Sequence, residues 1–224
     1  MPYELYCDNN SYKFDKLSDV PKNLYEKIIS LEAFEMRIRD INNIGLKFPN
    51  LEELNVSLNN IKILDLSYFR NLKNLICNKS KTEEIIGFEY CYKLESVEMQ
   101  SNKLTTISTN NNIKILLLPG NNLKYLPDFP NLEILSVAGT CKLYSLGKMP
   151  KLKELRIYSS FVEEIDFYME LEKLDCSDNS AIEKIHPFPK LKELICYNSN
   201  IKKKNLPYLP NLEFFQDKKN DKNW

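Results

Sequence analysis

The stretch Leu51-Glu52-Glu53-Leu54-Asn55-Val56-Ser57-Leu58-Asn59-Asn60-Ile61 decides the fold. Its first, fourth, sixth and eleventh residues are apolar, and its ninth is asparagine. The same spacing returns about every 20 residues, in segments that begin at Leu31, Leu51, Leu72, Leu94, Ile113, Leu132, Leu152, Leu171, Leu191 and Leu212. A fixed period of that length marks a solenoid, because one copy cannot bury its own apolar side and stacked copies can.

With the first residue of a copy as offset 0, offsets 0, 3, 5, 10 and 13 are apolar in almost every copy. In the first copy they are Leu31, Phe34, Met36, Ile41 and Ile44. Alternation at offsets 3 and 5 is the two-residue period of a strand with one buried face. A common register makes neighbouring strands parallel, and offsets 10 and 13 fold back to close each coil. In the Leu132 and Leu171 copies the later apolar residue comes one position late, at Leu143 and Ile182, so each should bulge there. Pro-containing linkers such as Leu126-Pro127-Asp128-Phe129-Pro130 should be short and extended, since proline fixes φ and lacks a donor.

This pattern resembles the leucine-rich repeat family, in its short bacterial-type form, over nearly the whole chain. The resemblance implies an α/β solenoid: a horseshoe with a concave parallel β-sheet and thin convex linkers. It also implies a ladder of buried asparagines at offset 8, where one amide both donates and accepts. Asn59, Asn102, Asn121 and Asn179 occupy that offset. Ser80, Thr140, Ser160 and Ser199 depart from it and can do half of the job. Arg39 should reach solvent.

Residues 1–30 read as a capping repeat with a helix, residues 31–216 as the solenoid and residues 217–224 as a polar tail, all in one continuous domain. Glu4-Leu5-Tyr6-Cys7 matches Glu193-Leu194-Ile195-Cys196 position for position. Ser18-Asp19-Val20-Pro21 is a helix start, and Val20, Leu24, Ile28 and Leu31 then share one face of a convex helix. This stretch also resembles the opening helix of an F-box, without the remainder of one. Trp224 could fold back over the last coil.

Several function classes lack residues. The 31 basic and 31 acidic side chains cancel, so no global field draws the chain to nucleic acid or an anionic membrane. No apolar run approaches the length of a membrane span. The single histidine, His186, lies in a convex linker with no nucleophile beside it in the pattern, and no metal or phosphate motif is present. The expectation is therefore no enzyme, no cofactor and no metal. The N-terminal residues have no basic flank or apolar core of a secretory signal, which points to the cytoplasm and reduced thiols. Abundant Asn and Lys with five glycines fit an AT-rich coding genome, such as that of a protist or a large DNA virus, in which case the setting is the host cytoplasm. Cys7, Cys77, Cys176 and Cys196 fall at the buried offset 5; Cys91 and Cys141 should be the more accessible pair.

Offset 1 is charged throughout, running Glu32, Glu52, Lys73, Glu95, Lys114, Glu133, Lys153, Glu172, Lys192 and Glu213, an alternating ladder along one rim. Offsets 2, 4 and 6 face solvent and should be polar. They include Ile115, Leu117 and Ile134, then Arg156, Tyr158 and Asp175, then Ile195, Tyr197 and Phe214. Apolar patches edged by Tyr and Arg are the usual make-up of protein-binding surfaces. The chain therefore reads as a non-catalytic interaction module, more monomer than oligomer, that binds a protein on its concave face. The alternative is an adaptor that recruits an enzyme, such as a ubiquitin ligase or phosphatase, through residues 1–30 or the C-terminal end.

Overall fold

A computed structural model describes residues 2–7 and 10–218. The chain divides into two compact units, Met1–Ile113 and Lys114–Trp224. Trp224 and the rest of the tail from residue 219 lie outside the described residues.

In the first unit the chain forms β1 (Tyr3–Cys7), β2 (Asn10–Phe14), β3 (Ser30–Glu32), the short helix α1 (Asn42–Lys47), β4 (Glu53–Asn55), β5 (Ile63–Asp65), β6 (Asn74–Ile76), β7 (Glu84–Ile86) and β8 (Ser96–Glu98). β3, β4, β6 and β8 pair in parallel, one per coil, with Leu31, Leu54, Leu75 and Val97 in register and buried. β5 and β7 form a second parallel pair on the return leg of their coils.

In the second unit the parallel strands are β9 (Ile115–Leu117), β10 (Ile134–Ser136), β11 (Glu154–Arg156), β12 (Lys173–Asp175), β13 (Glu193–Ile195) and β14 (Phe214–Gln216). Leu116, Leu135, Leu155, Leu174, Leu194 and Phe215 run in register through them. The return legs here carry one isolated parallel bridge between Tyr125 and Ser145 and a 3-10 turn at Lys203–Asn205, and no regular second sheet is described. The prolines that interrupt these legs cannot donate to a ladder.

The strands are three residues long because the chain turns soon after them, through a left-handed residue at offset 7. Leu58, Lys79, Ser101, Gly120, Gly139, Ser159, Asp178 and Asn198 all have positive φ. Only two of these eight are glycine, so in most coils the stack holds a residue in a conformation that costs an L side chain about 1 kcal/mol.

The first coil corrects the sequence reading. Leu31 pairs with Leu54, which is at offset 3, so the coil begins at Ile28, not Leu31. Ala33 then fills the offset-5 slot and is buried, while Phe34 is 39% exposed and Met36 is half-buried. Glu35, at offset 7 from Ile28, carries the positive φ of the other coils. Glu32 consequently stands on the exposed sheet face, and Ile29 takes the rim position. Arg39 is exposed, as expected.

The N-terminal copy also differs. Leu5 and Cys7 are buried as the match predicts, but β1 runs antiparallel to β3 and forms a hairpin with β2. In place of the expected convex helix there are 3-10 turns at Leu17–Asp19 and Lys22–Leu24. Pro21 explains the break: it lacks the N–H that would extend the first turn and holds Val20 extended, and too few residues remain before β3 for a helix to gain from its length. Val20 and Ile28 still pack into the core.

A further core position lies three residues before each coil from Leu51 to Leu191. Phe48, Phe69, Cys91, Asn110, Phe129, Met149, Tyr168 and Phe188 fill it, all buried. The residue at offset 0 donates its backbone N–H to this position's carbonyl in a tight turn, as Leu132 does to Phe129 at 3.2 Å. Leu143 and Ile182 are fully buried, and each late arrival is absorbed in an added turn.

Candidate functional site

The asparagine ladder fixes where each strand ends and therefore which side chains reach the exposed sheet face. Asn59 Oδ1 accepts from the backbone N–H of Met36 and of Ile38, both at 2.9 Å. Its Nδ2 donates to the carbonyls of Ala33, Val56 and Ser57 at 2.8, 2.9 and 3.2 Å. Asn102 repeats the arrangement one step on, accepting from Ser80 and Thr82 and donating to the Cys77 carbonyl. Asn121 Nδ2 donates to the Leu118 carbonyl, and Asn179 Nδ2 to Ser160 Oγ. All four amides are buried, which in a core requires such partners. The hydroxyls are partial substitutes. Ser80 Oγ donates to the Val56 carbonyl and accepts from the Asn59 N–H, whereas Thr140 Oγ1 is buried with no partner among the described residues.

The carboxylates of one rim are tied to lysines one coil away. Glu52 meets Lys73 at 2.7 Å, Glu133 meets Lys153 at 2.7 Å and Glu172 meets Lys192 at 2.6 Å. The bonds to Lys153 and Lys192 hold the Glu133 and Glu172 carboxyls below their ordinary range. These pairs are exposed and screened, so they act on coil register more than on stability.

The exposed sheet face of the second unit has three zones. Ile115 and Ile134 lie side by side across β9 and β10, with Leu117 beside Ser136, and all three apolar side chains are half-buried. Ser136 and, two residues on, Ala138 are buried. A polar zone follows. Arg156 bonds Glu154 at 2.5 Å and stands in register with Asp175, and Lys173 lies 3.8 Å from Glu193. Tyr158 is 39% exposed at the edge of this zone. Ile195 and Tyr197, half-buried, and Phe214, 47% exposed, form the second apolar zone over β13 and β14.

No family model matches the chain. Human oligodendrocyte-myelin glycoprotein is 31% identical over a match that covers 71% of this chain and 45% of that protein, so the chain spans under half of its relative. A leucine-rich repeat protein of Leptospira interrogans superimposes with a TM-score of 0.50 and 20% identity, over 79% of this chain and 63% of that one. A chain of the Drosophila Toll–Spatzle complex does so with a TM-score of 0.60 and 15% identity, over 81% of this chain and 28% of that one. At such identities the structural likeness bears on fold, and it agrees with the stacked coils and their asparagine ladder. The chain is a leucine-rich repeat protein.

The thiols of this leucine-rich repeat protein follow the coil positions. Cys7, Cys77, Cys176 and Cys196 are buried and free. Cys91, expected to be accessible, is buried, because it occupies the aromatic position three residues before a coil. Burial pushes its pKa up to about 12 and that of Cys196 up to about 11. Cys141 alone of the six is exposed.

His186 packs edge-on against Phe167 and Phe188, with Nε2 at 4.0 Å from Glu164. Among the described residues no group of three or more His, Cys, Asp or Glu side chains is placed to hold a metal ion, and no helix is long and apolar enough to cross a membrane. Sequence reasoning missed Asn110, whose buried amide donates to the carbonyls of Phe88 and Cys91. The residues at its position are too mixed in type for the sequence to have signalled it.

Proposed function

We propose that this leucine-rich repeat protein is a non-catalytic module that binds a protein partner on the exposed face of its second-unit sheet. The observation that carries the reading is the half-buried group Ile115, Leu117 and Ile134 at strand positions that face solvent. Solvent-facing strand residues of an unpartnered sheet are ordinarily polar, and a contiguous apolar group there gains free energy when a partner covers it. Arg156 and Tyr158 border it, and such side chains commonly anchor interfaces. Ile195, Tyr197 and Phe214 supply a second contact zone, with Asp175 between the two.

The buried thiols fit a reducing compartment such as the cytoplasm, which fractionation of source cells against a compartment marker tests. In the adaptor alternative, residues 1–30 would recruit an enzyme through a helix; that stretch folds as a hairpin and two 3-10 turns, so the C-terminal end is the remaining candidate surface for it.

Affinity capture with the wild-type chain, Leu117→Asp, Tyr158→Ala and the linker control His186→Ala tests the proposal. Loss of the captured partner in the first two variants, with retention in the control, is the expected result. Retention in both sheet-face variants with loss in the control would place the partner elsewhere.

A further inference from the structure

The exposed sheet face of the first unit differs in chemistry from that of the second. On β3, β4 and β8 it presents the carboxylates of Glu32, Glu53 and Glu98, and no outward position of β3, β4, β6 or β8 carries a cation. Nearby carboxylates are paired: Glu4 meets Lys13 at 2.6 Å and Glu52 meets Lys73 at 2.7 Å. Glu32, Glu53 and Glu98 have no ion pair among the described residues. Glu32 accepts a hydrogen bond from the Asn55 amide at 2.7 Å. Burial raises its pKa, the Asn55 bond pulls it back, and the charges of Glu4 and Glu53 add to the rise. Negative potential at this face is therefore left uncompensated.

A hollow of 630 Å³ opens on this face between the β1–β2 hairpin and strands β3 and β4, bounded by Tyr6, Ser11, Glu32 and Glu53. Ser30 lines it. Its neighbour Leu31 points into the core, so Ser30 points outward, into the hollow. It is only 9% exposed, and its hydroxyl has no hydrogen-bond partner among the described residues. The hydroxyl lies open to the hollow, where a ligand donor has an acceptor to meet. A second hollow of 250 Å³ shares Glu32 and Glu53 and continues along the face to Ser96 and Glu98. Together they form one trough across β3, β4, β6 and β8.

The carboxylates are not clustered for a metal ion. They suit a larger cation with several N–H donors on an aliphatic stem. We propose that this trough binds a basic peptide segment of a partner protein, with a Lys or Arg side chain seated over Ser30 between Glu32 and Glu53. Ser30 Oγ and the two carboxylates accept from the ammonium or guanidinium, and Tyr6 flanks its stem. A further basic residue along an extended segment meets Glu98. Charge-assisted bonds of this kind are stronger than neutral ones and fix the partner's register. The site is separate from the apolar face of the second unit and differs from it in chemistry.

Fluorescence anisotropy of the full chain with a labelled Lys-Thr-Lys-Thr-Lys peptide at low salt tests the proposal. The isosteric changes Glu32→Gln and Glu53→Gln should each weaken binding about tenfold, and Ser30→Ala about threefold, with a steep loss on adding salt. Glu163→Gln, which removes one charge from the second unit, should leave the affinity unchanged. The result separates this site from the apolar one, because failure here leaves Leu117-dependent capture intact. Equal weakening by Glu163→Gln would reduce the effect to net charge and overturn the proposal. So would no binding at about 1 mM peptide, the millimolar weak limit, or calcium ions displacing the peptide from wild type but not from Glu53→Gln.

Discussion

Replacing Asn59 by Ala should destabilise the first unit far more than any exposed substitution near it. The side chain makes five contacts: two backbone N–H groups donate to Oδ1, and the two protons of Nδ2 are shared among three carbonyls. That is about four effective hydrogen bonds, each worth roughly 1 kcal/mol net, in a buried place where orphaned groups cannot turn to water. The expected cost is roughly 3–5 kcal/mol, a large part of the stability of a domain this size. The neighbouring Asn60 is exposed, and Asn60→Ala should stay within about 0.5 kcal/mol. Ser80→Ala, which removes one donated and one accepted bond, should fall between, at about 1–2 kcal/mol. Asn59→Asp keeps an acceptor for Met36 and Ile38 but turns a second carboxylate oxygen toward three carbonyls. Its folded pKa should rise, so stability lost at neutral pH should return as the medium becomes acidic and the carboxyl regains a donor. Urea unfolding should be followed by amide exchange at Met36 and Ile38, because two compact units can unfold in separate transitions. If Asn59→Ala costs no more than Asn60→Ala, or those two amides keep their protection, the ladder does not hold the coils as described.

Leu135→Ala, in a fully buried strand position, should cost roughly 2–5 kcal/mol by chemical denaturation, and a cost below about 1 would contradict the packing of β10. Gly147→Ala should destabilise the second unit, since a Cβ there would lie 2.4 Å from the Pro127 carbonyl group; an unchanged melting temperature would show that the backbone can give way. Thiol labelling of native protein should be fast at Cys141 and slow at Cys91 even in mild alkali, because the thiolate is the nucleophile and burial holds the Cys91 pKa near 12; rapid Cys91 labelling without unfolding would refute its placement. The depressed carboxyls of Glu133 and Glu172 contribute above their ordinary pKa of 4.5, and the contribution is lost as pH falls through the folded value. In Lys153→Met and Lys192→Met the respective titrations, followed by NMR, should move upward, and unmoved titrations would show that the rim pairs do not persist in solution.

The parallel strands and the ladder were legible because the repeat imposes one register on every copy, and Leu54, Leu75, Leu116 and Leu135 each fall where the period puts them. The first coil was misread because two overlapping triplets fit the template, Ile28-Leu31-Ala33 and Leu31-Phe34-Met36. The small Ala33 hid the true one, and only pairing with β4 separates them. Arg39 at a supposed ladder position was the available hint. The antiparallel β1 could not be read from Leu5 and Cys7, since a strand's burial pattern is the same in either direction. Cys91 was misplaced because the core position before each coil carries Phe, Tyr, Met, Cys or Asn, a set too mixed to show as a period. On the exposed sheet face, the apolar residues of β9 and β10 were visible from offsets alone. The Ser30 trough was not, because it depends on the hairpin lying beside the corrected first coil.

The claim that the exposed sheet face of the second unit is the binding surface is tested most directly by site-specific photocrosslinking. A photoreactive phenylalanine analogue placed at Leu117 or Tyr158 should crosslink the captured partner, and the same group at His186 or at the exposed Tyr208 should not. Crosslinks at His186 or Tyr208, with none at Leu117 or Tyr158, would contradict the account.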